Sequence, residues 1–130
     1  MKTQTILLRI AGLISLLSAA FHLSFYWTFN WENTLNCLPN IDRAIFLTYH
    51  AICILMLLFM GIIPVFQAKA LLNSSVKYGV LSLFSLFYLI RIIAEFSLFG
   101  IKSNTLTIMI MCIVPMIFYT IPLFSKPRMK

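Results

Sequence analysis

Four long stretches of almost continuously apolar residues alternate with short polar segments along the chain. They cover roughly residues 10–31, 44–66, 78–99 and 105–124. An α-helix of about 20 residues is long enough to cross a hydrocarbon core about 30 Å thick. The pattern therefore predicts an all-α fold: an integral membrane bundle of four antiparallel transmembrane helices, forming a single domain over residues 1–130.

The first stretch permits a second interpretation, a cleavable signal peptide. Its start is basic, and residues 18–20 are small, as at a cleavage site. However, the apolar run continues past this point to Trp27 and Trp31, and such aromatic residues are typical of the boundary between lipid and water. We therefore expect this helix to be retained.

The segment between the first two stretches predicts a helix that lies on the membrane surface. Trp31, Leu35 and Leu38 are spaced so that they share one face of a short helix. This helix would lead directly into the second stretch.

The basic residues predict how the bundle is oriented. The N-terminus, the middle turn and the C-terminal tail carry Lys2, Arg9, Lys69, Lys77, Lys126, Arg128 and Lys130. The opposite side has only Arg43 and Lys102. Because cytoplasmic loops of membrane proteins are enriched in Lys and Arg, both termini are expected in the cytoplasm.

Composition excludes several classes of function. The chain is 62% hydrophobic and only 10% charged, which a soluble domain of 130 residues would not tolerate. The net charge of +7 is scattered over loops and termini, so nucleic acid is not expected as a partner. Cys37, Cys53 and Cys112 form no CxxC pair and no metal-ligand spacing, which argues against thiol–disulfide exchange and a metal site.

The third stretch is unusual because it carries Arg91 and Glu95 near its middle. An ionised group at the centre of a membrane helix costs about 2.5 to 3.5 kcal/mol on insertion scales, so such groups usually face partners or water. Arg91 and Glu95 are one helical turn apart and can pair with each other.

Other polar residues lie at a similar depth. With 1.5 Å of rise per residue, His22, His50, Arg91 and Glu95 are placed about 8 to 13 Å below the outer ends of their helices. Residues at one depth on neighbouring antiparallel helices can touch, which predicts a shared polar pocket in the outer half of the membrane. The candidate ligand-binding residues are His22, Tyr26, His50, Tyr88, Arg91 and Glu95. The same residues could instead serve only to hold the helices in register.

A set of these residues resembles a family of small bacterial four-helix membrane proteins without an established function. The resemblance rests on His22 with Phe25, on Trp31, on Asp42-Arg43-Ala44-Ile45, and on Tyr88-x-x-Arg91 with Glu95, within the first hundred residues. It implies a multi-pass protein of the bacterial inner membrane. It also marks His22, Arg43, Arg91 and Glu95 as residues of interest, whereas His50 departs from the pattern.

Three functions are consistent with these sequence features. The first is a non-enzymatic binding, accessory or assembly protein without a cofactor, in which Arg91 meets the anionic head of an amphipathic ligand. The second is a redox protein with His22 and His50 as axial ligands of a b-type haem. The third is an enzyme acting on a lipid or quinone, although no catalytic residue is identified. Besides the lipid bilayer, a second copy or a membrane protein partner is plausible for so thin a bundle.

Overall fold

The computed structural model describes residues 2–100 and 103–124, with the backbone alone at residues 99 and 103–105. Every regular element in this part of the chain is a helix. The helices are α1 (Lys2–Leu23), α2 (Phe25–Thr28), α3 (Trp31–Thr34), α4 (Asn40–Asn73), α5 (Lys77–Phe99) and α6 (Ser103–Thr120), with 3₁₀ turns at Leu35–Cys37 and Ile121–Phe124. Helices α1, α4, α5 and α6 are long and apolar enough to span a membrane, which confirms the all-helical prediction with four such helices.

Helix α1 begins and ends earlier than the apolar stretch at 10–31 indicated. It starts at Lys2, because backbone hydrogen bonds of a helix do not require apolar side chains and so extend through the polar residues at positions 2–9. It ends at Leu23, where the Ser24 N–H is shared between the Ala20 and Phe21 carbonyl oxygens, at 3.3 and 3.1 Å, and the Ser24 hydroxyl also donates to Phe21, at 2.7 Å. Tyr26 and Trp27 consequently lie outside the long helix.

The predicted surface helix is present but short. Helix α3 starts after Asn30, which adopts the left-handed conformation (φ 48°, ψ 51°) that Asn tolerates better than most residues. Trp31 and Leu35 are buried, as their spacing suggested. Leu38 is not buried, because it precedes Pro39 and is forced into an extended conformation (ψ 146°) that leaves the helix.

Helix α4 is longer than the predicted 44–66 at both ends. It continues past Gln67 because Ala68 and Leu71 are buried on its inner face, so packing favours the helix where hydropathy falls. The cost is a kink: Gln67 has non-helical angles (φ −119°, ψ 21°), within one turn of Pro64. The second helix of the bundle is therefore two helical pieces joined at this kink.

The long helices alternate in direction along the chain and are joined by short connections. Helix α1 packs along α4 and also against α6, and α6 packs along α5. By contrast, α4 and α5 contact each other little although they are consecutive. The bundle is thus tight around α1 and α6 and loose between α4 and α5.

Two glycines bring α1 and α4 into backbone contact. A Cβ atom on Gly12 would lie 2.8 Å from the Gly61 carbonyl oxygen and 2.9 Å from Val65 Cγ2. A Cβ atom on Gly61 would in turn lie 2.5 Å from Leu16 Cγ. Small residues that allow such close approach are the usual means by which membrane helices pack.

The outward surfaces of the four long helices are apolar. Leu17, Leu55 and Leu98 are each about two-thirds to three-quarters exposed, at 67%, 67% and 75%. Soluble monomers seldom expose contiguous apolar patches larger than a few hundred Å². Outward apolar faces on four helices of spanning length support a membrane-spanning protein.

Candidate functional site

A cavity lies between the four long helices, at the end of the bundle where α1 finishes and α4 begins. We call it the His22 cavity. Its volume is about 60 Å³, which is room for about two water molecules at ~30 Å³ each. Its lining residues are Ser18, Phe21, His22 and Phe25, then Cys53 and Leu57 from α4, then Phe87, Tyr88 and Arg91 from α5, and Ile108, Met111 and Cys112 from α6. Apolar walls with a few polar groups are the usual composition of a small-molecule site.

Arg91 is the cationic residue on the cavity wall, and it is paired with Glu95. Nη1 of Arg91 lies 2.5 Å from Oε2 of Glu95, one turn further along α5. The Glu95 side chain is almost fully buried, whereas that of Arg91 is 35% exposed. Among the described residues the guanidinium bonds to no other group, so most of its five N–H donors remain unused.

His22 and His50 adjoin the cavity and contact each other. Nδ1 of His22 is 2.9 Å from the Ser18 carbonyl oxygen, and Nε2 of His50 is 3.1 Å from the His22 carbonyl oxygen. A carbonyl oxygen only accepts, so each of these nitrogens carries a proton. In a neutral ring the opposite nitrogen is then an acceptor, which fixes the tautomer of both histidines.

Aromatic rings hold the two histidines in place. The ring centroids of His22 and His50 are 5.8 Å apart, and the planes are inclined by 25°. Phe25 stacks on both rings, at 4.6 Å from His22 and 5.6 Å from His50, and Trp31 meets His50 edge to face at 4.6 Å. The start of α4 is thereby fixed to the end of α1.

Beneath the cavity, a buried group of hydroxyls connects all four long helices. The Ser15 hydroxyl on α1 is 2.8 Å from the Tyr88 hydroxyl on α5 and 3.0 Å from the Tyr119 hydroxyl on α6. Tyr119 also donates to the Met60 carbonyl oxygen on α4, at 2.8 Å. We call these residues the Ser15 network.

The Ser15 network has fewer protons than contacts. Ser15 also lies 3.0 Å from the Ala11 carbonyl oxygen, which brings the hydrogen-bond contacts of the network to four. Each contact needs one proton, but the three hydroxyls supply only three. Tyr119 donates to Met60 and Tyr88 to Ser15, which leaves the Ser15 proton shared between Ala11 and Tyr119. Tyr88 therefore contributes to the cavity wall while its hydroxyl is committed to the bundle interior.

The structure brings most of the residues proposed from the sequence to one end of the bundle. His22, Tyr88 and Arg91 line the same cavity. Glu95 is not among the lining residues but is bound to Arg91, and His50 packs behind His22. Tyr26 lies apart from this group and is 43% exposed, because α1 ends before it.

Sequence reasoning missed Tyr119 and the two glycines of the α1–α4 contact. A signal for Tyr119 was present in Pro64, which has no N–H and so cannot donate to the carbonyl four residues earlier, that of Met60. A buried carbonyl oxygen that lacks its helical donor needs a different hydrogen-bond donor, from a residue at the same depth in the bundle. Tyr119 on α6 supplies it.

The two histidines do not fit a haem in this arrangement. A b-type haem with His22 and His50 as axial ligands would place its macrocycle between the two rings. Here the rings face each other directly, and Phe25 packs against both. The His50 nitrogen nearest to α1 is also bonded to a backbone carbonyl.

Comparison with known proteins adds no identification: no family model, no curated protein and no solved structure matches this chain. The resemblance to small bacterial four-helix proteins remains a prediction.

Proposed function

We propose that the protein is a non-enzymatic membrane protein that binds an amphipathic molecule in the His22 cavity, with Arg91 holding its polar head. The observation that carries this proposal is the Arg91 guanidinium, which lies on the wall of a mainly apolar cavity with most of its N–H donors unused. Unused donors in a low-dielectric environment are costly unless an acceptor meets them. A ligand head with oxyanion or carbonyl oxygens would satisfy them.

The rest of the cavity suits an apolar tail. Phe21, Leu57, Phe87 and Ile108 line it, and the loose contact between α4 and α5 gives a route toward lipid. The cavity has room for only a few atoms of a ligand at about 60 Å³, so the tail would extend between these two helices. The ligand would thus be drawn from the bilayer rather than from water.

The proposed location is the inner membrane of a bacterium, with both termini in the cytoplasm. The excess of Lys and Arg at the termini and in the α4–α5 turn supports this orientation. The His22 cavity lies at the opposite end of the bundle and would open in the outer half of the membrane. The bacterial source is what the family resemblance implies.

The test is native mass spectrometry of the protein purified in a neutral detergent. The wild-type chain is expected to retain an amphipathic molecule that is lost in Arg91→Gln/Glu95→Gln, a double substitution that removes the head-group contact without leaving an unpaired charge. Arg9 is exposed on α1, away from the cavity. Arg9→Gln removes one arginine there, as the double variant does at Arg91, and should retain the ligand. Equal ligand content in all three chains would refute the proposal.

A further inference from the structure

Glu95 is the acidic group of the site, and its surroundings are unusual for a carboxylate. The residue is 4% exposed. Oε2 is fully buried and, among the described residues, has Arg91 as its one polar contact, in a geometry that does not make an aligned hydrogen bond. Among the described residues, Arg91 is therefore the one charged partner of this carboxylate.

Among the described side chains, the other helices offer no lysine or arginine beside this pair. The ionisable groups of other helices that lie beside the pair are His22 from α1, Cys53 from α4 and Cys112 from α6, while His50 packs behind His22. None of these groups is a lysine or an arginine. Within the part of the chain that the structure describes, Arg91 is thus the permanent cation available both to Glu95 and to a ligand.

An anionic ligand at Arg91 would create an imbalance of charge. One guanidinium would then face two anions, the ligand head and the Glu95 carboxylate, in a region shielded from water. A buried charge without a full partner is strongly unfavourable, and a carboxylate in that position relieves it by binding a proton. The Arg91 side chain is partly exposed and lines the cavity, so a ligand head there would reach the guanidinium as well.

We propose that binding of an amphipathic oxyanion at Arg91 is coupled to the uptake of one proton by Glu95, an inference that rests on the proposed function. The proton comes from solvent and ends on a carboxylate oxygen of Glu95, so the net charge of the buried site is the same before and after binding. Binding and protonation then favour each other equally, as linkage requires. Where free Glu95 is ionised, affinity should fall about tenfold for each unit of rising pH.

The experiment titrates the purified protein with lysophosphatidylglycerol in a neutral detergent, from pH 5 to 8, by isothermal calorimetry. The phosphodiester of this probe does not change its charge over that range, so a pH dependence belongs to the protein. A pH indicator in weakly buffered solution measures proton uptake on the wild-type chain itself. We expect one proton taken up per probe bound, and an affinity that falls with pH.

Three variants identify the group that takes up the proton. Glu95→Gln should bind the probe with little dependence on pH, whereas His22→Gln should retain the dependence. Glu32→Gln changes an exposed acid on α3 and should behave as the wild type. Loss of the dependence in His22→Gln together with its retention in Glu95→Gln would overturn the assignment to Glu95.

The outcomes separate this inference from the proposed function. Binding without proton uptake in the wild-type chain would refute the coupling and leave the binding function standing. The absence of binding at every pH, with lysophosphatidylglycerol and with the neutral probe lysophosphatidylcholine, would refute the binding function itself. Glycerophosphoglycerol, the head group without its chain, tests the source of the oxyanion: binding as tight as that of the lipid would refute an amphipathic ligand.

Discussion

The Tyr119 hydroxyl donates a hydrogen bond of 2.8 Å to the Met60 carbonyl oxygen, the backbone group that Pro64 leaves without its helical donor. Both residues are fully buried, so no water replaces the missing N–H. Tyr119 therefore stabilises a proline in α4 from a different helix, and it joins α6 to α4 at the point where the Ser15 network meets the core.

Replacing Tyr119 by Phe should destabilise the bundle by about 1 to 3 kcal/mol, because it leaves the buried Met60 carbonyl without a donor. The measurement is thermal or denaturant unfolding in detergent micelles. Tyr49→Phe is the matched control, since Tyr49 is 69% exposed, and should change stability little.

The role of Pro64 in this effect can be isolated with a double-mutant cycle. Pro64→Ala restores an N–H that can donate to the Met60 carbonyl, so Tyr119→Phe should cost less in that background. Part of the cost should remain, because Tyr119 also contacts Ser15. Equal costs in both backgrounds would show that Tyr119 does not act through Met60.

Gly12→Ala should destabilise the protein by about 1 to 3 kcal/mol, through overpacking. The new Cβ atom would lie 2.8 Å from a backbone oxygen of Gly61, and backbone cannot rotate away as a side chain can. The same change at Gly79 on α5 meets no atom within 4 Å and should stabilise the helix by about 0.5 to 1 kcal/mol. Unfolding curves of the two variants should therefore shift in opposite directions.

Arg91→Gln should destabilise the protein more than Glu95→Gln. The first change leaves a buried carboxylate without its partner, at a cost of about 3 kcal/mol, whereas the second leaves a guanidinium that is partly exposed. The double variant should recover most of the loss, because both charges are gone. Thermal unfolding of the three chains at one pH tests this order, and a double variant less stable than Arg91→Gln would contradict it.

Cys37 should react with a membrane-impermeant maleimide added to spheroplasts of cells that express the protein. It is exposed in the connection that precedes α4, on the side proposed to face away from the cytoplasm. The background is Cys53→Ser/Cys112→Ser, so that a single thiol is labelled. Ser75→Cys, added with Cys37→Ser, places a thiol in the exposed α4–α5 turn and should react only after lysis. The reverse pattern would invert the orientation.

The protein purified after growth with added haem precursor should show no Soret band. The stacked His22, Phe25 and His50 rings leave no room for a macrocycle in this arrangement. A band that is lost in His22→Ala would instead show that the two rings separate to admit haem. An ultraviolet–visible spectrum of the detergent-purified protein decides between these results.

The local sequence was sufficient to predict four spanning helices and to single out Arg91 and Glu95. Spacing along one helix also predicted their pairing, because residues four apart are neighbours whatever surrounds them. Placing His22, His50 and Arg91 at one end required only the antiparallel order of the helices. These predictions depend on properties that a single segment or a simple topology determines.

Boundaries were harder to predict, because they depend on competing local interactions. Helix α1 ends at Leu23, where the Ser24 N–H and hydroxyl both bond to Phe21, and Tyr26 therefore lies beyond the helix that carries His22. Burial of Ala68 and Leu71 carried α4 past a kink that composition alone would have taken as its end. Hydropathy measures the preference of side chains for lipid, so it reports neither the hydrogen bonds of Ser24 nor the burial of Ala68 and Leu71.

Sequence determined the class of protein, the number of spanning helices and the position of the charged pair, since each follows from periodicity and from the cost of placing charge in lipid. Only the tertiary structure decided which helices pack closely, through Gly12 and Gly61, and which hydroxyls meet in the Ser15 network. It also decided that Tyr119 supplies the donor missing at Pro64. These contacts join residues far apart in the chain, and their formation depends on how the helices rotate against one another, which no single segment specifies.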